Sequence, residues 1–258
     1  MRFLLTNDDG IAAPGIYALA REIKKMGEVL VVAPEREMSG SGHAFTRHAP
    51  LRLRRAHRDG KFFGYATTGT PADSVKLGLF LAERKVDWVI SGINDGGNLG
   101  IDLFYSGTVS GALEGALDNF PAVAFSLTTQ KDLYPGKPRY DEAAAIAREL
   151  LEILMKMSRR LPPRLCLNIN IPNLPRERIR GIEVTEQALQ RYDDSFEVSE
   201  DPFGKPYYWL TGAAIDEDHR ADSDLTMIKG GFITITPLRI DLTDHELLER
   251  MRRWELKL

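Results

Sequence analysis

Residues 1–34 read MRFLLTNDDGIAAPGIYALAREIKKMGEVLVVAP, and this stretch decides the class of fold. The apolar run RFLLT is followed by a helical stretch (14–27), in which Pro14 suits the first turn and Gly27 suits a C-terminal stop. The next apolar run, VLVVAP (29–34), is continuous, as expected of a parallel strand that is covered on both faces. A strand, a helix and a second strand in this order predict a βαβ unit.

The same alternation continues along the chain. The helix that starts near Thr70 opens with Pro71 and Asp73, which is the pattern of a capping box. Alternating helices and apolar strands predict an α/β fold, namely an open, mostly parallel sheet with helices on both faces. The predicted segments are a helix at 70–83, a strand at 87–92, a helix at 108–119, a strand at 121–127, a helix at 140–158 and a strand at 164–172.

Two segments depart from this alternation. Residues 50–67 alternate in polarity around RDGK, which predicts a β-hairpin. After about residue 181, the segments EVTEQ, PYYWL and GFITITPL show no helical pattern until DHELLERMRRW near the end. We predict one domain over 1–258, with a core at 1–180 and an antiparallel strand arm plus a terminal helix at 181–258.

The tail also predicts self-association. PYYWL and GFITITPL carry large apolar side chains, and no helix nearby in the sequence is free to cover them. Soluble proteins avoid such an unprotected edge or patch. Pairing with the same arm of a second copy would cover it, so we expect at least a homodimer whose interface comes mostly from residues 185–237.

Composition restricts the class of protein. The 43% hydrophobic and 28% charged fractions are typical of a globular chain. A net charge of -3 leaves no basic surplus for holding a nucleic-acid polymer. We find neither a signal peptide nor an apolar run long enough to span a membrane. The single cysteine, Cys166, lies in an apolar run, so we expect a buried thiol and a cytoplasmic protein.

Two adjacent carboxylates, Asp8 and Asp9, follow the first strand. Adjacent carboxylates repel each other and resist burial unless a positive charge compensates. A polar turn is the simple alternative, because Asn7, the two aspartates and Gly10 are ordinary turn residues. In doubly wound sheets, however, ligands bind at the carboxyl ends of the strands, so the other strand exits decide between the two interpretations.

Those exits carry small residues with oxygen donors. Carboxylate, hydroxyl and amide oxygens suit one divalent cation, Mg²⁺ or Mn²⁺, better than Zn²⁺. A hydroxyl-bearing segment at a helix start is also a ready phosphate site. Together they predict phosphoryl chemistry. The exits supply Ser39, Ser41 and His43 in one loop, Asn94 and Asn98 in the next, and Ser106, Gly107 and Thr108 at the start of a helix.

Other phosphate-handling motifs do not fit. The chain has no GxxxxGK[ST] loop, and GGNLG lacks the dinucleotide-binding spacing. Haloacid-dehalogenase phosphatases use Asp-x-Asp, whereas these aspartates are adjacent. His48 and His57 are expected at the surface, and His43 stays open between a loop role and catalysis. Phe104 and Tyr105 beside the phosphate site could pack or could stack on a base.

The motifs together resemble those of the SurE family of survival-protein-E nucleotidases. They are TNDDGIAAPGI, VVAPEREMSGSGHAFT, GTPADSVKL, VISGINDGGNLGIDLFYSGTVSGALEG and PAVAFSL, in this order, from residue 1 to about 127. The resemblance implies a metal-dependent phosphatase that hydrolyses nucleoside 5′- and 3′-monophosphates. It also implies a Rossmann-like core and assembly as a dimer or tetramer through C-terminal strand arms.

The resemblance also assigns residues. The serine segment reads SGSGH, where many family members have a second serine before the histidine. A broader phosphomonoesterase or exopolyphosphatase stays open, as does a nucleotide-binding module without turnover. The metal ligands fall on Asp8, Asp9, Ser39 and Asn94; Asn98, Ser106, Gly107 and Thr108 match phosphate-side residues; we add Asn7, Gly40 and Ser41 for substrate binding and His43 as the candidate catalytic residue.

Overall fold

The structure is a computed structural model that describes residues 1–129, 133–157, 162, 164–193, 195–212, 214–215, 218 and 220–255. Its strands are β1 (Arg2–Thr6), β2 (Glu28–Pro34), β3 (Leu53–Arg58), β4 (Lys61–Thr67), β5 (Trp88–Asp95), β6 (Ala122–Thr128), β7 (Cys166–Pro172), β8 (Ile182–Val184), β9 (Arg191–Tyr192), β10 (Ser195–Glu200), β11 (Pro206–Thr211), β12 (Ala214–Ile215) and β13 (Ile233–Leu238). Its α-helices are α1 (Pro14–Ile23), α2 (Pro71–Leu81), α3 (Gly107–Leu117), α4 (Tyr140–Lys156), α5 (Asp224–Lys229) and α6 (His245–Met251), with short 3₁₀ helices at Gly100–Phe104 and Arg176–Arg178.

Nine strands form the central sheet in the order β3-β4-β2-β1-β5-β6-β7-β13-β8. The strands from β4 to β7 run parallel to one another, while β3 and β13 each pair antiparallel with a neighbour. The mostly parallel α/β sheet and the hairpin at 50–67 are therefore confirmed. The capping box is also present: Asp73 N donates to Thr70 Oγ1 at 3.2 Å, and Thr70 N donates to Asp73 Oδ2 at 3.0 Å.

Helices cover both faces of the sheet, as predicted. Because side chains alternate along a strand, Phe3 and Leu5 of β1 face one layer and Leu4 faces the other. The first layer contains α1 and α4, and the second contains α2 and α3. Cys166 is buried in the second layer, and burial raises the pKa of its thiol to about 12. The expected buried thiol is confirmed.

Some predicted boundaries were wrong. Helix α1 ends at Ile23 rather than near Gly27, because the next turn tightens to i→i+3 hydrogen bonds such as Met26 N to Ile23 O at 2.9 Å. Strand β5 runs to Asp95, beyond the predicted 87–92, so that Asn94 lies inside the strand and not in a loop.

The tail differs more from the sequence-based prediction. GFITITPL is not an uncovered arm strand: β13 inserts between β7 and β8, pairing Thr236 with Asn168, and its Ile233 is buried. The prediction that no helix precedes the terminal one was also wrong, because α5 packs against β13. That helix has only six residues, which is too short to show a helical period.

An antiparallel arm is confirmed in β10 and β11, which we call the hairpin arm (195–211). All but one of its strand residues are exposed, with Phe196 and Trp209 each 63% exposed. The terminal helix is present as α6. Across the described ranges, no helix has the length and apolar character needed to cross a membrane.

Candidate active site

The polar turn after β1 holds two adjacent carboxylates, of which Asp8 is buried and Asp9 is half-buried. Asn7 Nδ2 donates to Gly10 O at 2.9 Å, and Gly10 takes the left-handed conformation (φ 93°) that closes the turn. Asp8 is only 4% exposed, and burial raises its pKa above the ordinary 3.8. Burial and then the charge of Asp8 raise the pKa of Asp9 to about 7. The negative charge of Glu37 adds to both shifts.

Helix α3 begins directly against this turn. Thr108 Oγ1 donates a short hydrogen bond to Asp8 Oδ1 and lies 3.4 Å from Asn94 Oδ1. A Cβ on Gly107 would come within 2.7 Å of Asp8 Cβ, so only glycine permits this approach. Ser106 caps the helix, its Oγ accepting from Val109 N at 3.0 Å. The structure therefore brings Asp8, at the end of β1, together with Asn94 of β5 and Thr108 of α3.

Asp9 is close to a different set of polar residues from those that contact Asp8. Asp95 N donates to Asp9 Oδ2 at 3.2 Å, and Thr129 Oγ1 donates to Asp95 Oδ1 at 2.8 Å. Burial and the neighbouring carboxylates of Asp95 and Asp9 raise the pKa of Tyr140. Tyr140 therefore stays a neutral phenol beside the aspartates. The sequence analysis missed Asp95 and Tyr140, although the acidic residue after Asn94 was a visible signal.

The serine loop, which we define as residues 39–43, is attached to the site at both ends. Next to it, Met38 N donates to Asp8 O at 2.7 Å, and within it Gly42 N donates to Tyr105 O at 3.0 Å. Ser39 is exposed, and its Oγ donates to Glu37 Oε1 at 2.9 Å and not to an aspartate of the turn. Ser41 Oγ is buried without a partner among the described residues. Gly40 is exposed, with φ at 73°.

His43 is oriented by a buried carboxylate. Its Nε2 lies 2.8 Å from Glu114 Oε2, and Lys76 Nζ forms a short ion pair with the same carboxylate. Burial alone would raise the pKa of Glu114, but the contacts with His43 and Lys76 more than offset it and the pKa lies below its ordinary value. Glu114 was missed from the sequence, where it is the only charged residue in TVSGALEGAL.

Asn98 is held inside the protein. Its Nδ2 donates to Ser126 Oγ at 2.8 Å, and its backbone N donates to Asn170 Oδ1 at 2.8 Å. The Nδ2 groups of Asn168 and Asn170 donate to Asn98 O at 2.8 and 2.9 Å. The structure therefore places Asn98 as an anchor of the glycine-rich segment. The alternating asparagines of LNINIP were the signal for this cage.

The donor set fits a hard divalent cation. Asp8 and Asp9 supply carboxylate oxygens and Asn94 supplies an amide oxygen, and a cation beside the two aspartates would offset the burial that raises their pKa values. No group of three His, Cys, Asp or Glu suited to a metal occurs among the described residues.

The chain is similar to known proteins in both sequence and structure. The family model described as survival protein SurE matches residues 3–194. The chain is 45% identical to a "5′-nucleotidase SurE" of Syntrophus aciditrophicus, over 98% of this chain and 93% of the relative. It is 44% identical to one of Fervidobacterium nodosum, over 97% and 96%. The crystal structure of the SurE protein from Aquifex aeolicus superimposes with a TM-score of 0.80 at 39% identity, covering 98% of both chains.

Proposed function

The chain belongs to the SurE family, and from this premise we propose that it is a 5′-nucleotidase that releases phosphate from nucleoside monophosphates. The observation that carries the proposal is the adjacent pair Asp8 and Asp9, whose buried member, Asp8, contacts the N-terminus of α3. Relatives named 5′-nucleotidase SurE that match nearly the whole chain support it. We extend the proposal to nucleoside 3′-monophosphates, since a phosphate site at a helix end does not depend on which ribose carbon carries the ester.

The proposed cation ligands are Asp8, Asp9, Ser39 and Asn94. When bound, Mg²⁺ or Mn²⁺ supplies a Lewis acid for a phosphoryl oxygen and an activated water for direct attack. Asp8 is already positioned for this role by the hydroxyl of Thr108. Ser39 is the exception, because its hydroxyl donates to Glu37 and to neither aspartate.

The phosphate seat is the N-terminus of α3, residues 106–108. Its backbone N–H groups and the positive end of the helix dipole favour an anion, and its eleven residues give a full dipole. The Ser106 oxygen accepts from Val109 N, which leaves its own proton to donate to a phosphate oxygen. Thr108 donates to Asp8 instead, so Thr108 positions the carboxylate as well as lining the seat.

His43 is the proposed proton donor to the leaving ribose oxygen. Glu114 occupies its Nε2, so the Nδ1 position is the one that can meet the substrate. A general acid at this point lowers the barrier because a ribose alkoxide is a poor leaving group. We propose direct attack by water, and a cysteinyl-phosphate intermediate in particular does not fit, because the only cysteine is buried and its thiol pKa is about 12.

We also propose assembly through the hairpin arm as a homodimer or homotetramer. An isolated two-stranded ribbon is marginally stable in water, and this one exposes aromatic side chains on both strands. The proposed interface covers fewer residues than the 185–237 expected from the sequence, because β13 belongs to the central sheet. A single buried cysteine suits a reducing compartment, so cytoplasmic action is part of the proposal.

A second candidate is exopolyphosphatase activity, favoured by a basic cavity of about 500 Å³ beyond the end of β7. Among the described residues that line it there are five cationic side chains and no acidic one. A polyanion longer than a mononucleotide could use such a surface. The cationic residues are Lys137, Arg139, Arg178, Arg180 and Lys229.

The deciding experiment is phosphate release from AMP, GMP, ribose 5-phosphate and short polyphosphate, with Mg²⁺ or Mn²⁺ and with EDTA. We expect mononucleotide turnover that EDTA abolishes. Asp8→Asn should fold normally but lose both turnover and the rise in thermal stability that a native-state ligand produces. Turnover in EDTA, or near-normal turnover of Asp8→Asn at saturating Mn²⁺, would contradict the ligand assignment. Cation binding without turnover would favour the binding-module alternative.

A further inference from the structure

A cavity of about 610 Å³ is lined by Tyr105, the residue that precedes the phosphate seat, and by a second tyrosine, Tyr192. We call it the tyrosine cavity; Asp102, Tyr105, Tyr192 and Leu210 are among its lining residues. Its volume falls in the range of about 300–1,000 Å³ that is usual for small-molecule sites. Apolar surface predominates, with polar groups at a few points, as in sites that bind flat aromatic ligands.

The position of Tyr105 connects this cavity to the phosphate seat. Tyr105 directly precedes Ser106, the N-cap of α3, and consecutive Cα atoms are about 3.8 Å apart. Its carbonyl accepts from Gly42 N at 3.0 Å, so its backbone lies between the serine loop and the seat. A ligand whose phosphate occupies the seat can therefore reach the cavity with the group attached to that phosphate.

The cavity is built from the core and from the tail. Tyr192 OH donates a short hydrogen bond to Asp102 Oδ1, which fixes β9 of the tail against the 3₁₀ helix that leads to the seat. Leu210 comes from β11 of the hairpin arm. Burial, the bond to Asp102 and the nearby phenol of Tyr105 raise the pKa of Tyr192, so its ring stays neutral and suited to stacking.

Phe104, the aromatic residue that precedes Tyr105, does not line the tyrosine cavity. Phe104 is as exposed as Tyr105, 62% against 61%, but it lines a different cavity of about 460 Å³. That cavity is lined by Val109 and Leu113 of α3 and shares no lining residue with the tyrosine cavity. The two adjacent residues therefore provide a matched pair, one lining the tyrosine cavity and one not.

We propose that the tyrosine cavity binds the nucleoside part of the substrate, with the base stacked on the ring of Tyr105 and Tyr192 and Asp102 completing the wall. This inference rests on the proposed function and adds the residues that distinguish a nucleotide from other phosphomonoesters. Stacking recognises the face of any base, so the cavity favours nucleotides as a class and selects little among bases. The tail thereby contributes to substrate binding as well as to assembly.

The experiment compares the full-length parent with Tyr105→Ala, Tyr105→Phe and Phe104→Ala. Kinetics use AMP and ribose 5-phosphate, which carries a hydroxyl at C1 in place of the base, and calorimetry measures binding of adenosine without phosphate. Tyr105→Ala should raise KM for AMP and weaken adenosine binding at least about tenfold, because the loss of one stacking partner weakens binding by that order. Its kcat for AMP and its kcat/KM for ribose 5-phosphate should match the parent. Tyr105→Phe, which keeps the ring, and Phe104→Ala should behave as the parent.

Three results overturn the inference: an unchanged KM for AMP in Tyr105→Ala, an equal loss for AMP and ribose 5-phosphate, or an equal effect of Phe104→Ala. If the proposed function itself were wrong, the parent protein would show no AMP turnover. Calorimetry with adenosine would then still test whether the tyrosine cavity binds a nucleoside. Binding that depends on the Tyr105 ring supports the cavity, and a parent that does not bind adenosine rejects it.

Discussion

Replacing Asp9 by asparagine should stabilise the cation-free protein at about pH 8 and change little at about pH 4. The pKa of Asp9 is about 7 in the folded chain, against an ordinary 3.8. Between these values the folded state keeps a proton that the unfolded state has released. The free energy of unfolding therefore falls as pH rises through this window. At higher pH the whole of this loss of stability is present. An asparagine side chain has no proton to release in this range, so the variant avoids that cost.

The size of the effect follows from the pKa difference. A rise from 3.8 to about 7 corresponds to about 4 kcal/mol of free energy of unfolding lost at high pH. Solvent reaches part of the Asp9 side chain, so we expect a gain of about 2–4 kcal/mol for Asp9→Asn at about pH 8. The asparagine oxygen can still accept from Asp95 N, so the substitution removes the charge and keeps this hydrogen bond.

The assay is urea unfolding of the parent, Asp9→Asn and the control Asp222→Asn, with EDTA, at several pH values from about 4 to about 8. Asp222 is exposed, so its variant should follow the parent. Saturating Mg²⁺ should then stabilise the parent and the control but not Asp9→Asn. The reasoning fails if Asp9→Asn is no more stable than the parent at about pH 8, or if its advantage is the same at about pH 4.

The remaining predictions concern the phosphate seat, the histidine and the assembly. Ser106→Ala should reduce turnover by about 10² to 10³ and keep the stabilisation by Mg²⁺, whereas Thr108→Ala should weaken both, because only Thr108 bonds Asp8; equal Mg²⁺ stabilisation in the two variants would contradict this division. His43→Ala should slow AMP far more than p-nitrophenyl phosphate, whose leaving group needs no proton, and an equal loss with both substrates would rule out a general acid. Light scattering at micromolar concentration should give at least twice 28.9 kDa, and replacing 195–211 by a short linker should lower it; a parent of one-chain mass would refute assembly through the hairpin arm.

Much of the site could be predicted because its signals are local. The turn at Asp8 and Asp9, the cap at Ser106 and the capping box at Thr70 each depend on residues within one turn of the chain. Parallel strands must place their carboxyl ends at one edge, so recognising the βαβ repeat was enough to bring Asn94 and Thr108 towards the aspartates. The three donors do meet there in the folded chain.

By itself, then, the sequence determined the class of fold, the order of its central elements and the oxygen-rich edge where ligands would bind. Only the tertiary structure decided that β13 joins the central sheet, that Glu114 orients His43 and that the asparagines of β7 hold Asn98. These contacts join residues that are distant along the chain, such as Asn98 and Asn170 at a separation of 72. The energies of these contacts depend on which strands pair and on how deeply each carboxylate is buried. Strand pairing and burial cannot be inferred from the residues that are adjacent in the sequence.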